Sequence, residues 1–277
     1  MNGHAKKNRF KVGLVQQSCD DDPDANLSRS IVDIREAAAK GAELIALPEL
    51  HRSRYFCQTE DPGLFDLAEP LNGPTTQQLG TVAKELGVIL CGSIFERRTS
   101  GLYHNTAVIL GPDGRIVGHY RKMHIPDDPG FSEKYYFTPG DTGFKPIQTD
   151  LCSVGNLVCW DQWFPEAARL MSLAGAELLL YPTAIGWASD EDATTRKKDL
   201  EAWVTIQRSH AIANGLPLIA CNRTGIEPSA NNPEQHIEFW GNSFICGPRG
   251  EILAQADTEE AILVAEIDLS QTETTRK

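Results

Sequence analysis

No stretch of the sequence approaches the roughly 18 consecutive apolar residues that a membrane-spanning helix needs, which predicts a protein that neither crosses nor is embedded in a bilayer. Basic residues are scarce as well. With 26 Lys and Arg against 38 Asp and Glu, the formal charge is −12, a balance that disfavours nucleic acid and anionic membranes, both of which reward basic patches. Such acidity suits a cationic ligand, although it also simply keeps proteins in solution. Cysteine pairs are missing: the seven cysteines, at 19, 57, 91, 152, 159, 221 and 246, form an odd set without a C-x-x-C motif. This speaks against a disulfide framework and against a zinc site. The N-terminal MNGHAKKNRF has positive charge but no apolar core or cleavage site of a signal peptide. The combination predicts a protein of the reducing cytoplasm. Phosphate loops are absent too, because GPDG and GPRG read as turns.

What is present is an ordinary globular composition, 41% hydrophobic and 23% charged over 277 residues. That length can bury a large core, and one α/β domain over residues 1–277 is expected. RFKVGLVQQS alternates as a strand through Phe10, Val12 and Leu14, and the next segment places Leu27, Ile31, Ile34 and Ala38 on one helical face, stopped by Gly41. AELIALPE is a nearly all-apolar strand, the kind covered on both faces, running into Pro48 and Glu49. A helix from Thr75 to Leu86 precedes strands VILCGSIFE, YHNTAVIL and RIVGHYRK, the last two joined across GPDG.

The second half repeats this plan. AELIALPE at 42 matches AELLLYPT at 176, and GPDGRIVG at 111 matches GPRGEILA at 247, offsets of 134 and 136 residues. Two similar βα-rich halves would pack as a two-sheet sandwich with helices outside. A residue demanded by the fold should recur in both halves, whereas one demanded by chemistry need not. Glu49 stands opposite Thr183, and Cys159 opposite the Gln16 region of VGLVQQ, so both are singular. The Pro/Gly-rich MHIPDDPGFSEKYYFTPGDTGFKP between the halves is too long for a mere connector and is read as a functional loop.

Catalytic groups in open α/β sheets gather at the carboxyl ends of strands, and Glu49, Lys122 and Cys159 all sit at such ends. A thiol just before a helix and near a lysine is expected to ionise below its usual pKa. A neighbouring carboxylate can take and return a proton. Lys122, with the backbone N–H of Trp160, would offset charge developing on a carbonyl oxygen. Together these describe acyl transfer at an amide. The bland readings are a small buried thiol, assigned to Cys19, Cys91, Cys152, Cys221 and Cys246, and a solvated charge for Lys122. His124, two residues beyond Lys122, leaves a papain-like Cys–His pair open as a rival. His104, His119 and His210 are taken as structural, and Trp160 and Trp163 have packing as their alternative.

LPEL with Glu49, YRKMHIP with Lys122 and CWDQWFPEAAR with Cys159 resemble the Glu-Lys-Cys motifs of the nitrilase (carbon-nitrogen hydrolase) superfamily. The resemblance runs from KVGLVQQ to AEIDL and includes NRTG at 222 and FWGNSFICGPRGEIL. It implies a four-layer αββα sandwich of two pseudo-symmetric halves, a thiol nucleophile at Cys159, a general base at Glu49, an oxyanion-stabilising Lys122 and a second glutamate at Glu133. It implies no metal and no organic cofactor, and a homo-oligomer, a dimer or a multiple of dimers, associating through the Cys159-side helices.

Within that superfamily, YFCQTE, the loop at 124–145 and the segment from Cys159 to Gly186 are similar to the branch that hydrolyses N-carbamoylputrescine. Many relatives have an arginine where this chain has Trp163. Arginine would suit a carboxylate-bearing substrate, whereas tryptophan offers a π face to an alkyl chain or ammonium. The expected ligand is therefore a small amide or ureido compound with a cationic end. Trp160, Trp163, Tyr55, Asp128 and Asp161 are the expected binding residues, with Glu191 a further candidate for the distal ammonium. The alternatives are an amidase for N-carbamoyl amino acids, aliphatic amides or ω-amides, and a catalytically silent scaffold. Three features depart from the branch: Arg52 and Arg54 flank the Glu49 strand, WASDED follows TAIG, and SQTETTRK lacks the aromatic and arginine tail associated with subunit contacts.

Overall fold

Strand alternation sorts the apolar residues into layers in the computed structural model, which describes residues 8–232 and 234–277. The reading of the first seven residues as lacking a signal peptide lies outside them. In chain order the elements are β1 (Arg9–Gln16), α1 (Pro23–Ala39), β2 (Leu44–Ala46), α2 (Pro74–Leu86), β3 (Ile89–Thr99), β4 (Leu102–Leu110), β5 (Ile116–Arg121), the single turn α3 (Glu133–Tyr136), β6 (Ile147–Gln148) and β7 (Ser153–Asn156). There follow α4 (Pro165–Leu173), β8 (Leu178–Thr183), β9 (Gly186–Ala188), α5 (Ala193–Asn214), β10 (Leu218–Asn222), β11 (Thr224–Pro228), β12 (His236–Trp240), β13 (Phe244–Cys246), β14 (Ile252–Gln255), β15 (Ala261–Asp268) and α6 (Ser270–Arg276).

Two six-stranded sheets run β15-β1-β2-β3-β4-β5 and β14-β13-β10-β8-β7-β6, and β11-β12-β9 forms a smaller third. Each large sheet has a parallel centre, β1-β2-β3 in one and β7-β8-β10 in the other. In each, two antiparallel strands follow on one side and a single antiparallel strand on the other. The repeat read from the sequence is thus a structural one.

Alternate residues face opposite ways. Val12, Leu14, Leu44, Ala46, Ile89 and Cys91 of the first sheet meet Val154, Leu178, Leu180, Ile219 and Cys221 of the second in one buried cluster. The residues between them, such as Val15, Ile45 and Leu90, pack on Leu27 and Ile34 of α1 and Leu79 of α2. On the far side, Leu179, Leu218 and Ala220 pack on Ala168 of α4 and Trp203 of α5. The layers are therefore helix, sheet, sheet, helix, as expected.

The helices start and stop where the chain chemistry requires. Asp22 caps α1 and Asp192 caps α5, each accepting two backbone N–H bonds from the first turn. Gly87 ends α2 in a left-handed conformation, φ 67°. Among the described residues no helix is long and apolar enough to cross a membrane.

Candidate active site

Glu49, Lys122 and Cys159 follow the carboxyl ends of β2, β5 and β7. The ends of β2 and β8 meet where the Glu49 N–H donates to the Thr183 carbonyl at 3.3 Å, and the charges of Glu49 and Lys122 both act on the Cys159 thiol. Lys122 is fully buried, and its Nζ lies 2.8 Å from Glu49 Oε1 and 2.7 Å from Glu133 Oε2. Glu133, on the one-turn α3, is equally enclosed, so the second glutamate implied by the family resemblance stands beside the lysine. Gly140 secures the strand end: its N–H donates to the Lys122 carbonyl at 2.8 Å. A Cβ there would fall 1.9 Å from the Arg121 carbonyl oxygen, which excludes any other residue.

Asn105 was not singled out in the sequence. Its carbonyl accepts the Lys122 N–H at 2.9 Å, and its side chain donates to Glu49 Oε1 at 2.6 Å. One residue of β4 therefore registers both charged groups. Its signal was only the polar HNT interrupting an otherwise apolar strand. The second carboxylate oxygen of Glu49, Oε2, is buried without a hydrogen-bond partner. A buried acceptor left open in this way is costly unless it has a task.

Cys159 has left-handed backbone, φ 42°, a conformation that costs a non-glycine residue about 1–3 kcal/mol and persists only where its surroundings enforce it. Here the enforcement is visible. Residues Cys159–Trp163 form a 3₁₀ turn before α4, and Asp161 closes it by accepting the Val158 N–H at 2.9 Å. Gln162 is gripped by α5, accepting from Trp203 Nε1 at 2.8 Å and Gln207 Nε2 at 3.1 Å.

The expectation of a lowered thiol pKa does not hold. Burial raises the Cys159 pKa well above its usual value, and the charge of Glu49 raises it further. Lys122 opposes both without prevailing, because its positive charge is shared between two carboxylates. The resting thiol keeps its proton, and a base must remove it. Lys122 is itself held in the charged form: burial alone would neutralise it, but Glu133 and Glu49 outweigh that cost. Burial, only partly offset by Lys122, moves the Glu133 pKa up to about 7.

A cavity of about 460 Å³ opens over Cys159. Trp160, Trp163, Asp128, Glu191 and Asp199 line it. Glu191 Oε2 and Trp163 Nε1 are buried without partners. Among the described residues in its wall there is no lysine, arginine or histidine, while Asp128, Glu133, Glu191 and Asp199 supply carboxylates. Burial and the charge of Asp199 both contribute to raising the Glu191 pKa. Asp199 was overlooked because KKDLEAW reads as an ordinary solvated helix face.

Two expected binding residues are placed elsewhere. Asp161 is wholly buried beneath the Cys159 turn, where His124 Nδ1, 2.6 Å away, and the His124 and Val158 backbone amides use its oxygens. Tyr55 is 1% exposed and donates its hydroxyl to Glu133 Oε1 at 2.7 Å, so it reaches the cavity only through that carboxylate. Nothing in the site supports the Cys–His alternative: the Cys159 thiol donates to the Ala184 carbonyl, while His124 stacks on Phe164, pairs with Asp161 and does not line the cavity. Arg52 and Arg54 do not line the cavity; they pair with Asp24 and Asp21.

The family model for carbon-nitrogen hydrolase matches residues 11–277. The chain is 46% identical to the N-carbamoylputrescine amidase of Solanum lycopersicum, an alignment covering 98% of this chain and 91% of that protein. It is 41% identical to a citrullinase of Francisella tularensis, covering 95% and 90% respectively. The crystal structure of a carbon-nitrogen hydrolase from Helicobacter pylori G27 superposes with a TM-score of 0.95 at 47% identity, covering 97% of this chain and 92% of that one.

Proposed function

The chain belongs to the carbon-nitrogen hydrolase family, and on that premise we propose that it hydrolyses the ureido C–N bond of N-carbamoylputrescine to putrescine, carbon dioxide and ammonia. Cys159 is the nucleophile. Glu49 takes the thiol proton on its open Oε2 as sulfur attacks the ureido carbon, and returns it to the departing putrescine nitrogen. Lys122 and the Trp160 N–H stabilise the oxyanion, for which the lysine gives up one of its two contacts to Glu133. The carbamoyl thioester left on sulfur is attacked by water, whose proton passes to Glu49. The thiol re-forms and carbamate leaves, decomposing to carbon dioxide and ammonia. Glu133 holds Lys122 in place throughout.

The observation that supports the substrate assignment is the charge of the cavity wall: among the described lining residues Asp128, Glu191 and Asp199 add carboxylates beyond the Lys122-paired Glu133, and none is a lysine, arginine or histidine. A diamine-derived ligand places its free ammonium against Glu191 and Asp199 and its alkyl chain along Trp163. A substrate ending in a carboxylate, such as citrulline or carbamoyl-β-alanine, would meet like charge. We further assign residues 1–277 to one catalytic domain working in the cytoplasm, supported by buried thiols such as Cys57, Cys91 and Cys221 that stand outside any disulfide. Homo-oligomerisation through the Cys159-side helices is supported by Leu173 on α4 and Ile212 on α5, 75% and 56% exposed.

The test is ammonia release from N-carbamoylputrescine, beside N-carbamoyl-β-alanine, citrulline and glutamine, with Cys159→Ala as control. Turnover of the first compound, lost in the variant, is the expected result. Release from the carboxylate-bearing compounds alone overturns the substrate assignment.

A further inference from the structure

Arg223 and Glu227, within and just after NRTG, form an ion pair at 2.7 Å whose side chains are 0% and 1% exposed. Neither lines the cavity above Cys159. The desolvation of such a pair offsets most of its attraction, so its value lies in what else the two groups hold. Arg223 Nη2 donates to the backbone carbonyls of Glu49, at 2.8 Å, and Leu50, at 2.9 Å. Its Nη1 donates to the Ser53 carbonyl at 3.2 Å, and its guanidinium lies over the Phe239 ring, 5.2 Å from the centroid. Leu50 has left-handed backbone, φ 50°, so the residue after Glu49 sits in a conformation that needs restraint. Glu227 uses its other oxygen to accept the Tyr55 N–H at 2.6 Å, and Tyr55 in turn donates to Glu133.

We propose that the Arg223–Glu227 pair is a positioning device that sets both Glu49 and Glu133 against Lys122. It stands in the second half of the chain and reaches each carboxylate from behind, through the main chain in one case and through Tyr55 in the other. Only a planar fork reaches two adjacent carbonyls, a third carbonyl and a carboxylate from one side chain, which lysine cannot imitate. The proposal rests on the reading of Glu49 and Glu133 as working carboxylates. It adds that their placement is fixed by a pair that touches neither substrate nor sulfur.

Arg223→Lys keeps the charge and loses the fork; the double variant Arg223→Met/Glu227→Met removes the pair and keeps the volume. Two readouts are taken at temperatures where circular dichroism shows each variant folded. One is kcat and KM on N-carbamoylputrescine; the other is the rate of Cys159 alkylation by chloroacetamide, followed by mass spectrometry, which needs the base but no turnover. Expected are roughly 10- to 100-fold losses in kcat and in alkylation rate, with KM changed less than about twofold. Wild-type rates in either folded variant overturn the proposal, as does a rise in KM at constant kcat. If neither variant folds at any temperature, the pair is a folding element and the proposal falls. A wild type that ignores N-carbamoylputrescine refutes the substrate assignment, while the alkylation comparison still decides the role of the pair.

Discussion

The backbone N–H of Glu49 donates to the carbonyl of Thr183 at 3.3 Å, and these two residues occupy the same place in the two halves of the chain. The near-symmetric strands β2 and β8 thus meet end to end, and only one of them ends in a carboxylate. Glu49→Gln keeps the shape and the Asn105 contact but removes the base. It should lower kcat by about 10²–10⁴-fold while the melting temperature stays within about 5 °C. Near-normal ammonia release from this variant would remove Glu49 from the mechanism.

Lys122 pairs with two enclosed carboxylates, so its loss is a stability matter first. Lys122→Met should cost roughly 3–5 kcal/mol in urea unfolding, as expected when a buried charge loses its partner. In the wild type the Lys122 pKa is raised, so its contribution is complete below the unfolded value of 10.5 and disappears only as pH climbs through the folded value above it. An unchanged urea midpoint would mean that the two glutamates take up protons without strain.

Asn105→Ala strips Glu49 of its short neutral donor. A hydrogen bond to a charged group is worth about 1.5–3 kcal/mol, and kcat should fall roughly 10- to 100-fold with KM little altered. Steady-state kinetics decide it, and a pure KM effect would place Asn105 in binding instead.

Glu191→Gln and Asp199→Asn act on the distal ammonium. Both groups are partly exposed, which discounts their electrostatic worth, so each should raise KM for N-carbamoylputrescine by about tenfold or less and leave kcat nearly unchanged. The sharper readout is discrimination: both changes should narrow the preference over citrulline. If that ratio does not move, the ammonium sits elsewhere, and Asp128 is next.

His51 is buried and held neutral, its pKa pushed down to about 3 chiefly by burial and also by Arg223 and Arg52. The unfolded chain protonates it near 6.5, so between pH 6.5 and 3 the unfolded state binds the extra proton and stability falls as pH falls. The slope from this one group approaches about 1.4 kcal/mol per pH unit. His51→Asn should flatten the acid limb of a urea-midpoint profile by that amount; an identical limb in the variant would show that His51 is not held neutral.

The layers were legible because strand alternation and caps are local, and Glu49, Lys122 and Cys159 because polar residues at the ends of apolar strands break the pattern and are missing from the partner half. Trp163 and Asp128 were legible through their neighbours. Asp161 and Tyr55 were misplaced because their direction depends on a 3₁₀ turn and on a loop fastened to the other half. Asn105 and Arg223 act on Glu49 across 56 and 174 residues of chain, and Asp199 reaches the cavity from 40 residues beyond Cys159, distances over which no local pattern informs. The thiol pKa was misjudged because burial, the chief cause of its rise, and the pairing of Lys122 with both Glu49 and Glu133 come from packing between distant segments.

The enclosure of Lys122 by Glu49 and Glu133 has one more consequence. Lys122 Nζ lies 2.8 Å from Glu49 and 2.7 Å from Glu133, and all three side chains are shut away from water. Passing the proton from Cys159 to Glu49 moves a negative charge from oxygen to sulfur and leaves the sum unaltered. Creating charge in a medium of low polarity is what costs most, and this step only relocates it. The proton that activates the sulfur is thereby exchanged inside the cluster, and Glu133, its pKa raised to about 7 by burial, is the member through which the pH of the solution reaches it.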